Sequence, residues 1–186
     1  MRNLLIILSG PSGVGKGTIV GELLKRGNYA LSISCTTRPR RIVEVEGKHY
    51  FFITKEKFKN MIDEGGLLEY SEHFDNFYGT PKAFVDEKLK TQDVILEIEC
   101  NGAFQVKKSH PDAILIMVAP PSKEETRKRL RLRGTEDEEE IERRLQRMDY
   151  ELSCAGQYDY KVVNDDLKTA VLEIENIIKR EKGADI

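Results

Sequence analysis

Short apolar runs alternate with stretches of helical periodicity along most of the chain, and this alternation predicts α/β architecture with a largely parallel core sheet. Residues 4–8 are apolar without a break, as a strand buried on both faces requires. Ile19, Val20, Leu23 and Leu24 then recur at helical spacing as far as Gly27, a natural stop. Residues 94–98 and 113–118 predict two further core strands, and 161–163 a shorter one. Ala170, Val171, Ile174, Ile177 and Ile178 mark one face of a last helix.

The pattern changes twice. Between 35 and 80, short aromatic-rich runs at 50–53, 67–70 and 77–78 surround one helix bearing Phe58, Met61 and Ile62, which Gly65-Gly66 would end. This predicts an insertion with its own small sheet, leaving residues 1–34 and 81–186 as the core domain. The second departure, at about 123–150, predicts two helices in which arginines bracket the acidic run 136–140. Ser122 with Glu125, and Thr135 with Glu138, have capping-box spacing at their starts.

A chain of 186 residues, 39% hydrophobic and 33% charged, suits one well-cored globular domain. Its formal net charge of -2 supplies no general basic field, so no nucleic-acid partner is expected and any nucleotide must be gripped locally. The three cysteines, Cys35, Cys100 and Cys154, lack metal-ligand spacing and read as reduced thiols. The run at 4–8 is too short to span a bilayer and leads into Ser9-Gly10-Pro11 without a cleavage pattern, so a cytoplasmic location and no membrane association are expected.

Chemistry enters at Gly10-Pro11-Ser12-Gly13-Val14-Gly15-Lys16, a G-x-x-x-x-G-K loop between the first strand and the first helix. Glycines let backbone N–H groups turn inward around a phosphate chain, and the helix N-terminus adds partial positive charge. Lys16 supplies a cation for the β- and γ-phosphates of ATP. The motif expects Ser or Thr next as a Mg2+ ligand, but Gly17 stands there, followed by Thr18. One step along a helix rotates a side chain by about 100°, so Thr18 is a displaced candidate for that ion.

Further along come Ser34-Cys35-Thr36-Thr37-Arg38, then Arg41, Glu44, Gly47 and Tyr50, Glu69, Tyr78-Gly79-Thr80, Arg133-Gly134-Thr135 and Val163-Asn164-Asp165-Asp166. In order and spacing these resemble the guanylate kinase family from about residue 4 to residue 178. The resemblance implies a three-layer phosphate-loop nucleoside monophosphate kinase fold with a parallel core sheet, an inserted GMP-binding α+β domain and a helical lid. It implies transfer of the γ-phosphoryl of ATP to GMP, and to dGMP, with Mg2+. Other outcomes stay open: a related kinase with a different acceptor, or an inactive guanylate-kinase-like module that binds phosphorylated peptides. The oligomeric state is open too.

By the same resemblance, Glu69 reads guanine, whose N1–H and N2–H₂ donate where a carboxylate only accepts, and Thr80 offers a hydroxyl to the O6/N7 side. Arg38 and Arg41 clamp the acceptor phosphate with guanidinium forks, helped by Ser34, Glu44, Tyr50, Tyr78 and Gly79. Here Pro39, Ile42 and Val43 depart from the family's usual loop. Glu97 and Glu99 stand where the family has Asp-x-Asp, and Glu99 is a candidate for the nucleoside or, through water, for Mg2+. Arg129, Arg133 and Arg144 supply the lid's charge around the transferring phosphoryl, with Arg133 and Asn164 near adenine. Plain surface pairing of Glu139 with Arg143 and of Glu140 with Arg144 is the competing reading for the lid arginines.

Overall fold

The computed structural model describes residues 2–73, 75–134 and 137–183. Strand β1 (Leu5–Ser9) is buried at every position, because five residues without a charge leave no face for water. It leads through the phosphate loop into helix α1 (Lys16–Arg26), which Gly27 stops by donating its N–H to Leu23 O. Strand β2 (Tyr29–Leu31) follows, and after the insertion come helix α3 (Lys82–Leu89), strand β7 (Asp93–Glu97), helix α4 (Cys100–Ser109) and strand β8 (Ile114–Ala119). Strand β9 (Tyr160–Val163) and helix α7 (Leu167–Glu181) close the core.

The core sheet has the order β2-β7-β1-β8-β9 and every pair in it is parallel. Side chains alternate across a strand, so β1 feeds two cores. Ile6 and Leu8 pack with Ile19 and Leu23 of α1 and Val171 and Ile174 of α7. Leu5 and Ile7 pack with Val85 of α3 and Ala103 and Val106 of α4. The result is the α/β arrangement with a parallel core sheet expected from the apolar pattern, in the three layers that the family resemblance implies. Periodicity missed β2, α3 and α4: β2 has three residues, and α3 buries only Val85 completely. Helix α4 begins Cys-Asn-Gly, a sequence with little helix signal.

The insertion forms a second sheet, β4-β3-β6-β5, from β3 (Cys35–Thr36), β4 (Phe51–Phe52), β5 (Leu67–His73) and β6 (Asn76–Pro81). Helix α2 (Lys55–Asp63) covers it with Phe58, fully buried and stacked 5.3 Å from the Phe77 ring. Met61 and Ile62 are half-buried. The outer strand β5 meets α4 through Gln105, whose side chain accepts from Tyr70 N at 3.1 Å and donates to Tyr70 O at 2.9 Å. That amide substitutes for a neighbouring strand.

Helices α5 (Lys123–Arg133) and α6 (Glu138–Ser153) pack on each other through Leu130, Ile141, Leu145 and Met148. Their caps differ from the expected boxes. Ser122 accepts from Glu125 N at 3.0 Å, but the Glu125 carboxylate turns to Arg129 instead of returning to Ser122. For α6 the cap is Asp137, accepting from Glu140 N at 2.8 Å. An acidic cap also suits the positive end of the helix dipole. Thr135, expected in that role, lies outside the described residues.

Candidate active site

The phosphate loop leaves the carboxyl end of β1, between β7 and β8, in the crevice where open parallel sheets bind ligands. Its backbone is shaped by close approaches. A side chain on Gly10 would stand 2.1 Å from Val118 O, and Gly15, with φ of 95°, leaves 2.6 Å to the Asn164 amide nitrogen. Lys16 Nζ donates to Gly10 O at 2.5 Å and Pro11 O at 3.3 Å, holding the ammonium over the loop's mouth. A cleft of about 470 Å³ opens there, lined by Gly10, Ser12 and Lys16 from the loop and Glu97, Ile98 and Glu99 at the end of β7. From α6 come Glu140, Arg143, Arg144, Arg147 and Glu151.

Arg144, expected in the lid, reaches Ser12 Oγ across the cleft and pairs with Glu140 at 3.2 Å. The surface pairing and the reach to the loop therefore coexist in one side chain. Arg129 goes elsewhere: it pairs with Glu125 at 3.0 Å and donates to Asn164 O at 2.9 Å, so it fastens α5 to the loop after β9 and does not line the cleft. The Arg133 side chain lies outside the described part of the molecule. Asn164, expected at adenine, turns its amide nitrogen inward to donate to Val14 O at 2.7 Å. The carbonyl of a buried residue needs a donor, which accounts for that direction. Thr18 is exposed on α1 and is not among the residues that line the cleft.

A second cavity, about 250 Å³, adjoins the first and is lined by Ser34, Tyr50, Glu69, Ser71, Tyr78 and Gly79, with Glu97, Ile98, Glu99 and Arg147 as the shared wall. Glu69, only 4% exposed, accepts a 2.6 Å hydrogen bond from Thr80 Oγ1. Burial pushes its carboxyl up to about 7; the Thr80 hydroxyl opposes this and the charge of Glu99 adds to it. Gly102 lies directly behind: a Cβ there would meet Glu69 Oε2 at 2.6 Å. No motif marked Gly102. The signal was its place in the first turn of α4, where Glu99 caps the helix by accepting from Gly102 N at 3.1 Å.

The two acceptor arginines part company. The Arg38 guanidinium stands 5.1 Å from the Tyr50 ring centroid, in cation–π range, and forks onto both oxygens of Glu44, one contact measuring 2.7 Å. That fork, and a bond from Arg41 N, hold the Glu44 carboxyl down at about 2. Arg41 contributes its backbone and its side chain is exposed; neither arginine is among the residues that line the cavity. In this loop Glu44 N donates to Arg41 O, and Ile42 and Val43 stand in solvent.

Arg143, Arg147, Glu151 and Ser71 line the cavities without having been singled out by sequence. Burial raises the Glu151 carboxyl, while Lys16 and Arg147 pull it the other way. The three cysteines are free and buried, burial pushing Cys35 to about 11 and Cys100 to about 12.

Magnesium can be tested against the loop itself. A Cβ on Gly17 would lie 3.8 Å from Glu97 Oε2, so a carboxylate oxygen stands beside the place of the motif's hydroxyl. Oxygen donors of this kind suit the ion. Among the described residues no cluster of three or more His, Cys, Asp or Glu is arranged to hold a metal unaided.

Two cavities with a common wall, one built to grip polyphosphate and one around a buried carboxylate, are the arrangement of a phosphate-loop nucleoside monophosphate kinase. The chain belongs to the guanylate kinase family, whose match extends over residues 2–181. It is 52% identical to the guanylate kinase of Clostridioides difficile over 98% of this chain and 90% of that protein. With the guanylate kinase of Caldanaerobacter subterraneus the identity is 49%, over 97% and 89%. The crystal structure of guanylate kinase from Anaplasma phagocytophilum superposes with a TM-score of 0.77 at 31% identity, covering 97% of this chain and 86% of that one.

Proposed function

We infer that the protein is an ATP:GMP phosphotransferase, giving ADP and GDP. The observation that carries this is Glu69: a buried carboxylate, aligned by Thr80, sharing a wall with the phosphate cleft. Guanine presents donors at N1 and N2, whereas adenine presents a lone pair at N1 that would face the carboxylate unpaired. Stranding buried polar groups in this way rejects a wrong base by roughly 10⁴-fold.

In the proposed reaction, Lys16 and the loop amides hold the β- and γ-phosphates while Arg144 faces them from α6. Arg38, delivered beside Tyr50 by Glu44, takes the acceptor phosphate together with Ser34, Tyr50 and Tyr78. An oxygen of the acceptor phosphate attacks the γ-phosphorus in line, and no side-chain nucleophile is needed. Glu97 and Glu99, directly or through water, would hold Mg2+, which when bound neutralises charge on the β- and γ-oxygens. Arg129 and Asn164 brace the donor loop. We assign acceptor binding to residues 35–80 and closure over ATP to residues 123–150; dGMP is expected to serve as well. Among the described residues no helix is long and apolar enough to cross a membrane, and the three unoxidised thiols suit a cytoplasmic location.

Following ADP release with ATP and magnesium across GMP, dGMP, AMP, CMP, UMP and TMP tests the assignment. Turnover confined to the guanine nucleotides is expected; use of AMP or a pyrimidine in their place would overturn it. The intact 10–16 loop and the family's activity leave the non-catalytic module without support.

A further inference from the structure

Phosphoryl transfer takes place where the two cavities meet, so the charge at their junction matters most. The shared wall consists of Glu97, Ile98, Glu99 and Arg147. Three of these lie at or just past the end of β7, and two of the three are glutamates. Arg147 is the sole cation among them. It belongs to α6, about one turn beyond Arg144, and lines both cavities.

Its present contacts are loose. The guanidinium lies 3.9 Å from Glu99 Oε2 and 3.5 Å from Glu151 Oε1, while Arg144 and Arg143 hold Glu140 at 3.2 and 2.8 Å. Its side chain is 46% exposed, whereas that of Glu151 is 12% exposed, and both line the first cavity. A plain i,i+4 pair would place both partners in solvent; here the carboxylate is largely buried while the arginine remains accessible.

We propose that Arg147 is a further catalytic residue, contacting the phosphoryl group as it passes between the two nucleotides. This role rests on the kinase reading above and is electrostatic. The oxygens of the transferring group must be met by a donor at the junction, and the Arg147 guanidinium is the cation that lines both cavities there. Its contacts with Glu99 and Glu151 are long enough to be given up when a more highly charged phosphate arrives.

The test compares Arg147→Ala and Arg147→Lys with the parent enzyme. Turnover of GMP with ATP is measured alongside binding of ADP, of GMP, and of a dinucleotide joining adenosine to guanosine through five phosphates. The alanine variant should lose about tenfold or more in kcat. Its affinity for the bridging dinucleotide should fall by a similar factor, with ADP and GMP affinities shifting by less than about threefold. Lysine, which keeps the charge without the fork, should recover part of both losses. If the bridging ligand loses no more affinity than ADP and GMP do separately, Arg147 only supports α6 and the proposal is overturned. A parent enzyme that fails to bind GMP would instead sink the kinase reading.

Discussion

Glu69 makes a prediction that can be signed. Its carboxyl is raised by burial to about 7 from an ordinary 4.5. Below pH 4.5 the folded and unfolded chains both carry the proton; between 4.5 and 7 only the folded one keeps it, so stability falls as pH rises through this window. The penalty complete above pH 7 is about 3 kcal/mol. Glu69→Gln should therefore be the more stable protein at pH 8 and lose that advantage near pH 4, as urea unfolding at the two pH values would show. Guanine's donors favour the carboxylate, so GMP binding near pH 7 should expel a proton and weaken by up to about tenfold per unit of acidification. Calorimetry in buffers of different ionisation enthalpy detects the proton, and Glu69→Gln should abolish it. Gly102→Ala should drive its methyl into the same carboxylate, raising KM for GMP about tenfold or more while KM for ATP stays put. Steady-state kinetics with each substrate varied decides this; equal effects on both would mean general damage to α4. Glu69 was legible in the sequence because it sits in a motif. Gly102 was not, since the distance that constrains it joins residues 33 apart.

Among the elements, β1, α1, β7, β8 and α7 were legible because burial on both faces or along one stripe writes itself into the apolar period. The loop between β1 and α1 was equally plain, since its glycines answer to backbone geometry. What stayed hidden were the ties between elements. Arg129 looked like lid charge, yet it fastens α5 to the turn after β9, and Asn164 in that turn holds Val14 O from below. Neither partner is near in sequence, so neither tie could be read from it. Asn164→Ala should strand the Val14 carbonyl, costing about 1–3 kcal/mol of stability. It should also weaken ATP binding while sparing GMP. Denaturant unfolding together with the two KM values checks both halves; an unchanged KM for ATP would leave Asn164 a purely structural residue.

At the scale of the whole molecule, two sheets and a helical pair meet around one cleft. The sequence marks the acceptor segment by its aromatic runs but carries no sign of how that segment is fastened to the core, where Leu68 packs on α3 and α4 and the polar side chain of Gln105 ties down Tyr70. Its amide also has a consequence outside catalysis. Strand β5 is the last strand of its sheet, and the backbone groups of such a strand invite pairing with another chain. By engaging Tyr70 N and O, Gln105 withdraws one donor and one acceptor from that invitation. Gln105→Ala should retain most turnover but form oligomers on mild heating, seen as light scattering below the unfolding transition; a variant that stays monodisperse would show that the strand's own residues are protection enough. In a crowded cell, then, a side chain far from the chemistry would be guarding the enzyme against its own copies.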